Sequence, residues 1–197
     1  MSIKYKIYQN EYPYHVYNRV NNKEHLFKLG DTFPIFLDVL EKTAKTHNIL
    51  MHHFLLMENH YHLMLTTTLA NLNKFMCTFQ THVSYRINQQ LNRINHIFGN
   101  RYGATVIKTE IYITRLIKYI YQNPINSNSV THPLDYPYST LKFYVKGDVS
   151  KYGFVCDPYL EGISGHLRAK ELVALCEMDL DLEEHKLVET SFRCSLV

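Results

Sequence analysis

The stretch Ile49-Leu50-Met51-His52-His53-Phe54-Leu55-Leu56-Met57-Glu58-Asn59-His60-Tyr61-His62-Leu63-Met64-Leu65-Thr66-Thr67 decides how the rest of the chain is read. Its two apolar, β-compatible runs, 49–57 and 61–67, are broken by the polar pair Glu58-Asn59, which is the pattern of a β-hairpin. Side chains alternate along a strand, so His60 and His62 share a face; on a helix they would stand about 200° apart. Two imidazoles on one face can hold a divalent metal. A chain with 12 histidines also makes close pairs by chance, His52-His53 among them, so the flanking sequence has to supply the rest of the argument.

On the N-terminal side, Tyr12 to Arg19 is rich in β-formers and reads as a first strand. Residues 32–46 follow as a helix, with Phe33, Phe36, Leu37, Leu40 and Ala44 at helical spacing, Asp31 or Thr32 as N-cap, and Pro34 tolerated in the first turn. Beyond the hairpin, Leu72, Phe75, Met76, Phe79, Val83, Ile87 and Leu91 trace one stripe of a long helix over about 70–92. Tyr102 to Lys108 reads as a fourth strand and 111–123 as a third helix. The order β-α-β-β-α-β-α is that of an α+β ferredoxin-like sandwich, an antiparallel sheet with helices packed on one face.

The third helix carries the second half of the chemistry. Ile113, Leu116, Ile117 and Ile120 form its apolar stripe, and Arg115, Tyr119 and Asn123 stack at i, i+4 and i+8 along one flank. Pro124 is expected to end the helix and leave Asn123 projecting from its terminus. Two neutral imidazoles and an amide oxygen would occupy three positions around Mg²⁺ or Mn²⁺ and leave room for a phosphate oxygen. Tyr119 would be the nucleophile, with Arg115 or Lys118 neutralising developing charge, because a phenol with an ordinary pKa near 10 needs help to lose its proton. Tyr121 is a rival. It lies about 160° from Asn123 around the helix, whereas Tyr119 shares its ridge.

Length and composition are compatible with this. The 197 residues, 46% hydrophobic, suffice for a domain of ordinary size with an appendage. The four cysteines, Cys77, Cys156, Cys176 and Cys194, are too scattered for a zinc knuckle or redox motif and read as reduced thiols. No stretch approaches the roughly 20 apolar residues of a membrane span, and the first residues lack a signal peptide's apolar run, so a cytoplasmic protein is expected. Residues 1–150 carry 16 Lys/Arg against 9 Asp/Glu, a balance of +7, and residues 151–197 carry 5 against 9, a balance of −4. A basic body with 16 tyrosines in the whole chain offers cations to phosphates and rings to bases.

His60-Tyr61-His62, set in Met57-Glu58-Asn59-His60-Tyr61-His62-Leu63-Met64, resembles the HUH motif (histidine, bulky apolar residue, histidine) of IS200-like single-tyrosine transposases. Tyr14-His15-Val16-Tyr17-Asn18-Arg19-Val20-Asn21-Asn22 is similar to that group's first strand and loop. Tyr119-Ile120-Tyr121-Gln122-Asn123-Pro124 resembles the Tyr-Ile-x-x-Asn-Pro segment of REP-associated tyrosine transposases, and Asp135-Tyr136-Pro137-Tyr138-Ser139-Thr140 their aromatic-Ser segment. The likeness covers about 12–146. It implies a catalytic domain over 1–146 with an extension over 147–197, His60, His62 and Asn123 as metal ligands, and Tyr119 forming a 5′-phosphotyrosine link. It also implies a Mg²⁺ or Mn²⁺ cofactor and a single-stranded DNA substrate often folded as a hairpin; Arg19, Arg115 and Lys118 are the expected DNA contacts.

Two departures bear on this. Val20 stands where relatives commonly have glycine, so the loop after the first strand is expected to reach φ > 0 less readily. Glu58 replaces a frequent proline and reads as a solvated turn residue rather than a group tuning the metal. In the extension, Ala169, Leu172, Val173 and Cys176 mark a short amphipathic helix, followed by acidic Glu177 to Glu184, which repels a DNA backbone. The expected function is metal-dependent cleavage and strand transfer of single-stranded DNA, nucleoid-associated when bound, by a monomer or a homodimer. A nucleic-acid-binding module of the same fold and a metal-dependent phosphoester hydrolase are the alternatives.

Overall fold

In a computed structural model, residues 12–146, Val155 and residues 169–178 are described. The elements are β1 (Pro13–Arg19), α1 (Thr32–Thr46), β2 (Ile49–Leu56), β3 (His60–Thr67), α2 (Leu72–Gln90), β4 (Gly103–Val106), α3 (Glu110–Asn126), α4 (Leu141–Lys146) and α5 (Ala169–Glu177). The four strands form one antiparallel sheet in the order β2-β3-β1-β4. That is the ferredoxin-like arrangement: β1 and β3 are central, and each βαβ half supplies one edge strand.

Strand alternation sorts the side chains into two layers. Val16, Phe54, Leu63 and Leu65 meet Phe36, Leu40, Phe75, Phe79 and Val83 of α1 and α2 in one core. Leu55 and Met64 turn to the opposite face and pack with Ile113, Leu116, Ile117 and Ile120 of α3 and Leu172 and Cys176 of α5. The two sandwich helices thus share one face, and α3 covers the other. Aromatic edges lock α1 to α2, Phe36 standing perpendicular to Phe79 at 5.1 Å between centroids. On the wet side of α1, Lys42–Asp38 (2.9 Å) and Lys45–Glu41 (2.6 Å) are i,i+4 pairs.

A register shift between Met51 and His53 puts one extra residue into β2. Such a bulge interrupts alternation. His52 and His53 consequently turn to the same face, where His52 Nε2 meets Thr66 Oγ1 at 2.8 Å and His53 Nδ1 meets the Tyr121 hydroxyl at 2.5 Å.

Two expectations are corrected. Pro124 does not end α3, which runs on to Asn126 with Pro124 buried inside it. Proline removes the N–H that would have bonded to the Ile120 carbonyl, and Ser127 N–H to Asn123 O (3.0 Å) and Ser129 N–H to Pro124 O (2.9 Å) carry the turn forward. Asn123 therefore projects from within a helix. Val20 needs no glycine, since its backbone is extended at φ −62°, ψ 142°, and the left-handed positions fall on Asn22 (φ 53°) and Lys23 (φ 56°). The amphipathic helix of the extension is present as α5, but the acidic run beyond Met178, like Cys156 and Cys194, lies outside the described residues.

Candidate active site

The residue between the two histidines anchors them. Tyr61 turns to the α1/α2 face, its ring enclosed by Phe36, Phe98 and Phe79 at 5.3, 5.8 and 5.9 Å, and its hydroxyl accepts a hydrogen bond from Gln80 Nε2 at 2.8 Å. Burial pushes the Tyr61 phenol well up, so it stays protonated at neutral pH. With Tyr61 fixed inward, His60 and His62 face α3.

Across from them α3 presents Tyr119 and Asn123. The Tyr119 ring stands edge-on to His62, 5.6 Å between centroids at 88°, and Asn123 Oδ1 lies 3.3 Å from His60 Nε2. These four side chains, with Tyr17, Arg19 and Arg101, line a cavity of about 350 Å³, a size usual for small-molecule and cofactor sites. Arg19 is aligned by Asn18, whose Oδ1 accepts the Arg19 N–H at 2.8 Å and whose Nδ2 donates to the Asn100 carbonyl at 3.1 Å. Arg101 is held by Asn73 Oδ1 at 2.7 Å and by the Tyr102 ring at 5.6 Å.

The protonation of His60 follows from its contacts. Asn59 Nδ2 donates to the Lys23 carbonyl (3.2 Å), which aims Asn59 Oδ1 at His60 Nδ1, 2.7 Å away. Both His60 nitrogens face an amide oxygen, which only accepts, and the shorter contact, 2.7 Å to Asn59 against 3.3 Å to Asn123, assigns the single proton to Nδ1. Burial, then the Arg19 charge, hold His60 down at about 4 against a smaller rise from the Asn123 contact, so the ring is singly protonated at neutral pH. Nε2 then presents a lone pair to Asn123 Oδ1, and two acceptors face each other across 3.3 Å. Two donor atoms in cis positions around Mg²⁺, each bonded at about 2.1 Å, would stand about 3.0 Å apart. The pair fits that requirement, and the donor set of two imidazoles and one amide suits a hard or borderline cation. The Asn123 amide oxygen, 3.3 Å from His60 Nε2, would be the third protein ligand beside the two imidazoles.

His62 is 4% exposed and held well below the ordinary imidazole range by burial first, then by His15, His60 and Arg19. Its Nδ1 lies 2.9 Å from Nε2 of His15, a fully buried residue of β1 that burial lowers to about 3.

Of the residues expected from sequence, His60, His62, Asn123, Tyr119 and Arg19 come together, and Arg115 and Lys118 do not. Lys118 is 6% exposed and its charge is felt by the Cys176 thiol on α5, so it stands on another side of α3 from Tyr119. Tyr121, the rival phenol, is buried, its hydroxyl engaged with His53 and with Thr140 Oγ1 at 2.8 Å. Glu58 turns away to His25 (2.5 Å) and Lys28 (3.0 Å), and the His25 contact leads in keeping its carboxyl below the usual range. Sequence reasoning missed Asn59, Arg101 and His15 as site residues. Asn59 and His15 lay inside the quoted motifs without a role, and Arg101 carried no local signal.

Residues 8–123 match the family model described as "Transposase IS200 like". The chain belongs to the IS200-like transposase family. Among solved structures, it is similar to a REP-associated tyrosine transposase bound to a REP hairpin, at 15% identity and a TM-score of 0.64, with 74% of this chain and 86% of that one covered. Weaker likenesses reach a Deinococcus radiodurans R1 protein described as a transposase (13% identity, TM-score 0.43, 61% and 94% covered) and the Saccharomyces cerevisiae tRNA(His) guanylyltransferase (9%, 0.42, 95% and 82%). These two carry no weight for function. No match was found among curated proteins.

Proposed function

We propose that this transposase cleaves and rejoins single-stranded DNA, Tyr119 acting as nucleophile beside a Mg²⁺ or Mn²⁺ ion held by His60, His62 and Asn123. The observation that carries the reading is His60 Nε2 set against Asn123 Oδ1 at 3.3 Å, one helical turn along α3 from Tyr119, in a cavity that also holds Arg19 and Arg101. When bound, the ion would supply Lewis-acid polarisation of a phosphate oxygen. The Tyr119 oxygen attacks phosphorus as the bond to the 3′-oxygen breaks. The phenolic proton is lost, the leaving oxygen gains one, and the products are a 5′-phosphotyrosine and a free 3′-hydroxyl. Phosphodiester energy is kept in the protein link, so reversal on a new 3′-hydroxyl joins strands without ATP. Arg19 and Arg101 bear the charge of the backbone.

In this reading residues 1–146 form the catalytic domain and 147–197 an extension, and the substrate carries a hairpin near the cleaved bond, a proposal in keeping with the REP hairpin bound by the similar solved structure. The protein works in the cytoplasm at the nucleoid, as a monomer or a homodimer. The test is incubation of the protein and its Tyr119→Phe variant with Mn²⁺ or Mg²⁺ and labelled hairpin-bearing single strands from sequences flanking its own gene. A metal-dependent, denaturant-stable adduct that the variant lacks is expected. Cleavage surviving Tyr119→Phe would instead identify a metal hydrolase, and binding without adduct a non-catalytic module.

A further inference from the structure

We infer that His15 is a positioning residue that sets the tautomer of His62 and so decides whether its cavity-side nitrogen is open to a cation. This rests on the assignment of His60, His62 and Asn123 as a metal-binding set. In the β1/β3 ladder Tyr17 is opposite His62 and His15 opposite Met64, so His15 and His62 are diagonal neighbours on one face. Their rings stack at 5.1 Å and 18°, and His15 Nε2 approaches His62 Nδ1 to 2.9 Å.

One proton fits between those two nitrogens. If His15 Nε2 carries it, His62 Nδ1 is the acceptor, and a neutral His62 must carry its own proton on Nε2, which closes that nitrogen to a cation. If His62 Nδ1 carries it, His15 accepts and His62 Nε2 presents a lone pair. Only the second arrangement serves coordination, as ligating histidines usually donate their other N–H to a fixed acceptor.

The two ligands are therefore supported differently. Asn59 Oδ1 can only accept from His60 Nδ1, at 2.7 Å, the shorter of the two amide contacts of the ring, so His60 has a fixed acceptor that favours the tautomer able to coordinate. His15 can donate or accept. His62 is the adjustable ligand of the pair, and cation binding would draw the shared proton onto it. His15 itself reaches the cavity only through His62, since it is absent from the lining.

The experiment combines Mn²⁺ affinity by calorimetry with the His62 protonation site by long-range ¹H–¹⁵N NMR in the Mg²⁺-loaded protein. His15→Phe keeps a ring but offers no acceptor, and should weaken Mn²⁺ binding about 10- to 100-fold. His15→Gln places an amide oxygen near the position of Nε2 and should restore most of it. In the Mg²⁺-loaded wild type the proton should sit on His62 Nδ1. Unchanged Mn²⁺ affinity in His15→Phe, or a loaded wild type with the proton on His15 Nε2, overturns the inference; the second observation needs no variant to fold. His60→Ala and His62→Ala separate the two levels. If they leave Mn²⁺ affinity intact, the metal assignment has failed, and if they abolish binding while His15→Phe does not, only the role of His15 has.

Discussion

Tyr17 lies directly over Gly103. The two are paired residues of β1 and β4, and a Cβ built on Gly103 would stand 2.1 Å from Tyr17 Cζ. The absent side chain makes room for a ring that lines the cavity, with the aromatic covering the glycine as cross-strand aromatics do. Gly103→Ala should displace the ring and cost about 1–3 kcal/mol, the usual penalty of overpacking. In denaturant melts Tyr17→Ala should recover part of that loss when the two changes are combined. Strict additivity would show that the contact does not govern the site.

The two tyrosines of α3 should separate stability from chemistry. Tyr121→Phe strips a buried hydroxyl from His53 and Thr140 and should cost about 1–3 kcal/mol while leaving adduct formation intact. Tyr119→Phe should change stability by no more than about 0.5 kcal/mol and abolish the adduct. Thermal melts alongside denaturing gels make the comparison, and an adduct lost with Tyr121 would reverse the assignment.

Asn59→Ala removes the acceptor that fixes the proton of His60 on Nδ1. Mn²⁺ affinity measured by calorimetry should fall about 10- to 100-fold. An affinity equal to wild type would mean that His60 is oriented by packing alone.

Charge at the cavity should be visible in salt dependence. Arg101→Ala, if Arg101 meets one phosphate, lowers the slope of log affinity against log salt by about 0.7 for a single strand. Lys118, buried on another side of α3, should leave the slope unchanged when replaced by Ala. Equal slopes for wild type and Arg101→Ala would place the backbone elsewhere.

Glu58 offers a test of pH dependence. Its carboxyl is lowered in the folded protein, by His25 first and then by Lys28. A depressed carboxylate stabilises the fold above its unfolded pKa, about 4.3, and loses that contribution as pH falls through the lower folded value. The pairs are partly exposed, so Glu58→Gln should cost no more than about 1 kcal/mol at neutral pH. The gap to wild type should close as pH falls through the lowered folded value, read from urea midpoints at successive pH values. A gap that widened in acid would mean the sign is wrong.

Hydrophobic patterning and β-propensity make most of the architecture legible. The apolar, β-compatible runs 49–57 and 61–67 broken by Glu58-Asn59, and period 3.6 in 32–46 and 70–92, locate the hairpin and both sandwich helices to within a residue or two of Ile49–Leu56, His60–Thr67, Thr32–Thr46 and Leu72–Gln90. The same periodicity separates Tyr119 from Tyr121. What it does not carry is anything decided by register or by long-range packing. The bulge at His52 adds a residue without changing composition. Lys118 looks like a free cation until α5 is folded against α3, and Arg101 enters the cavity only because β4 pairs with β1. Pro124 misled because local steric preference was outweighed by a helix whose inner stripe was already buried.

The outer margin of β2 carries more chain than the four-stranded ladder suggests. Leu56 N–H bonds to the Tyr138 carbonyl at 2.9 Å, Thr140 N–H to the Phe54 carbonyl at 3.1 Å, and Val155 bridges Met51 in parallel. An uncovered margin of this kind is a template on which foreign or misfolded chains stack. Here it is occupied. At the opposite margin the described sheet ends in the four-residue β4, and a strand that short is a poor template for edge-on growth into aggregates or fibres.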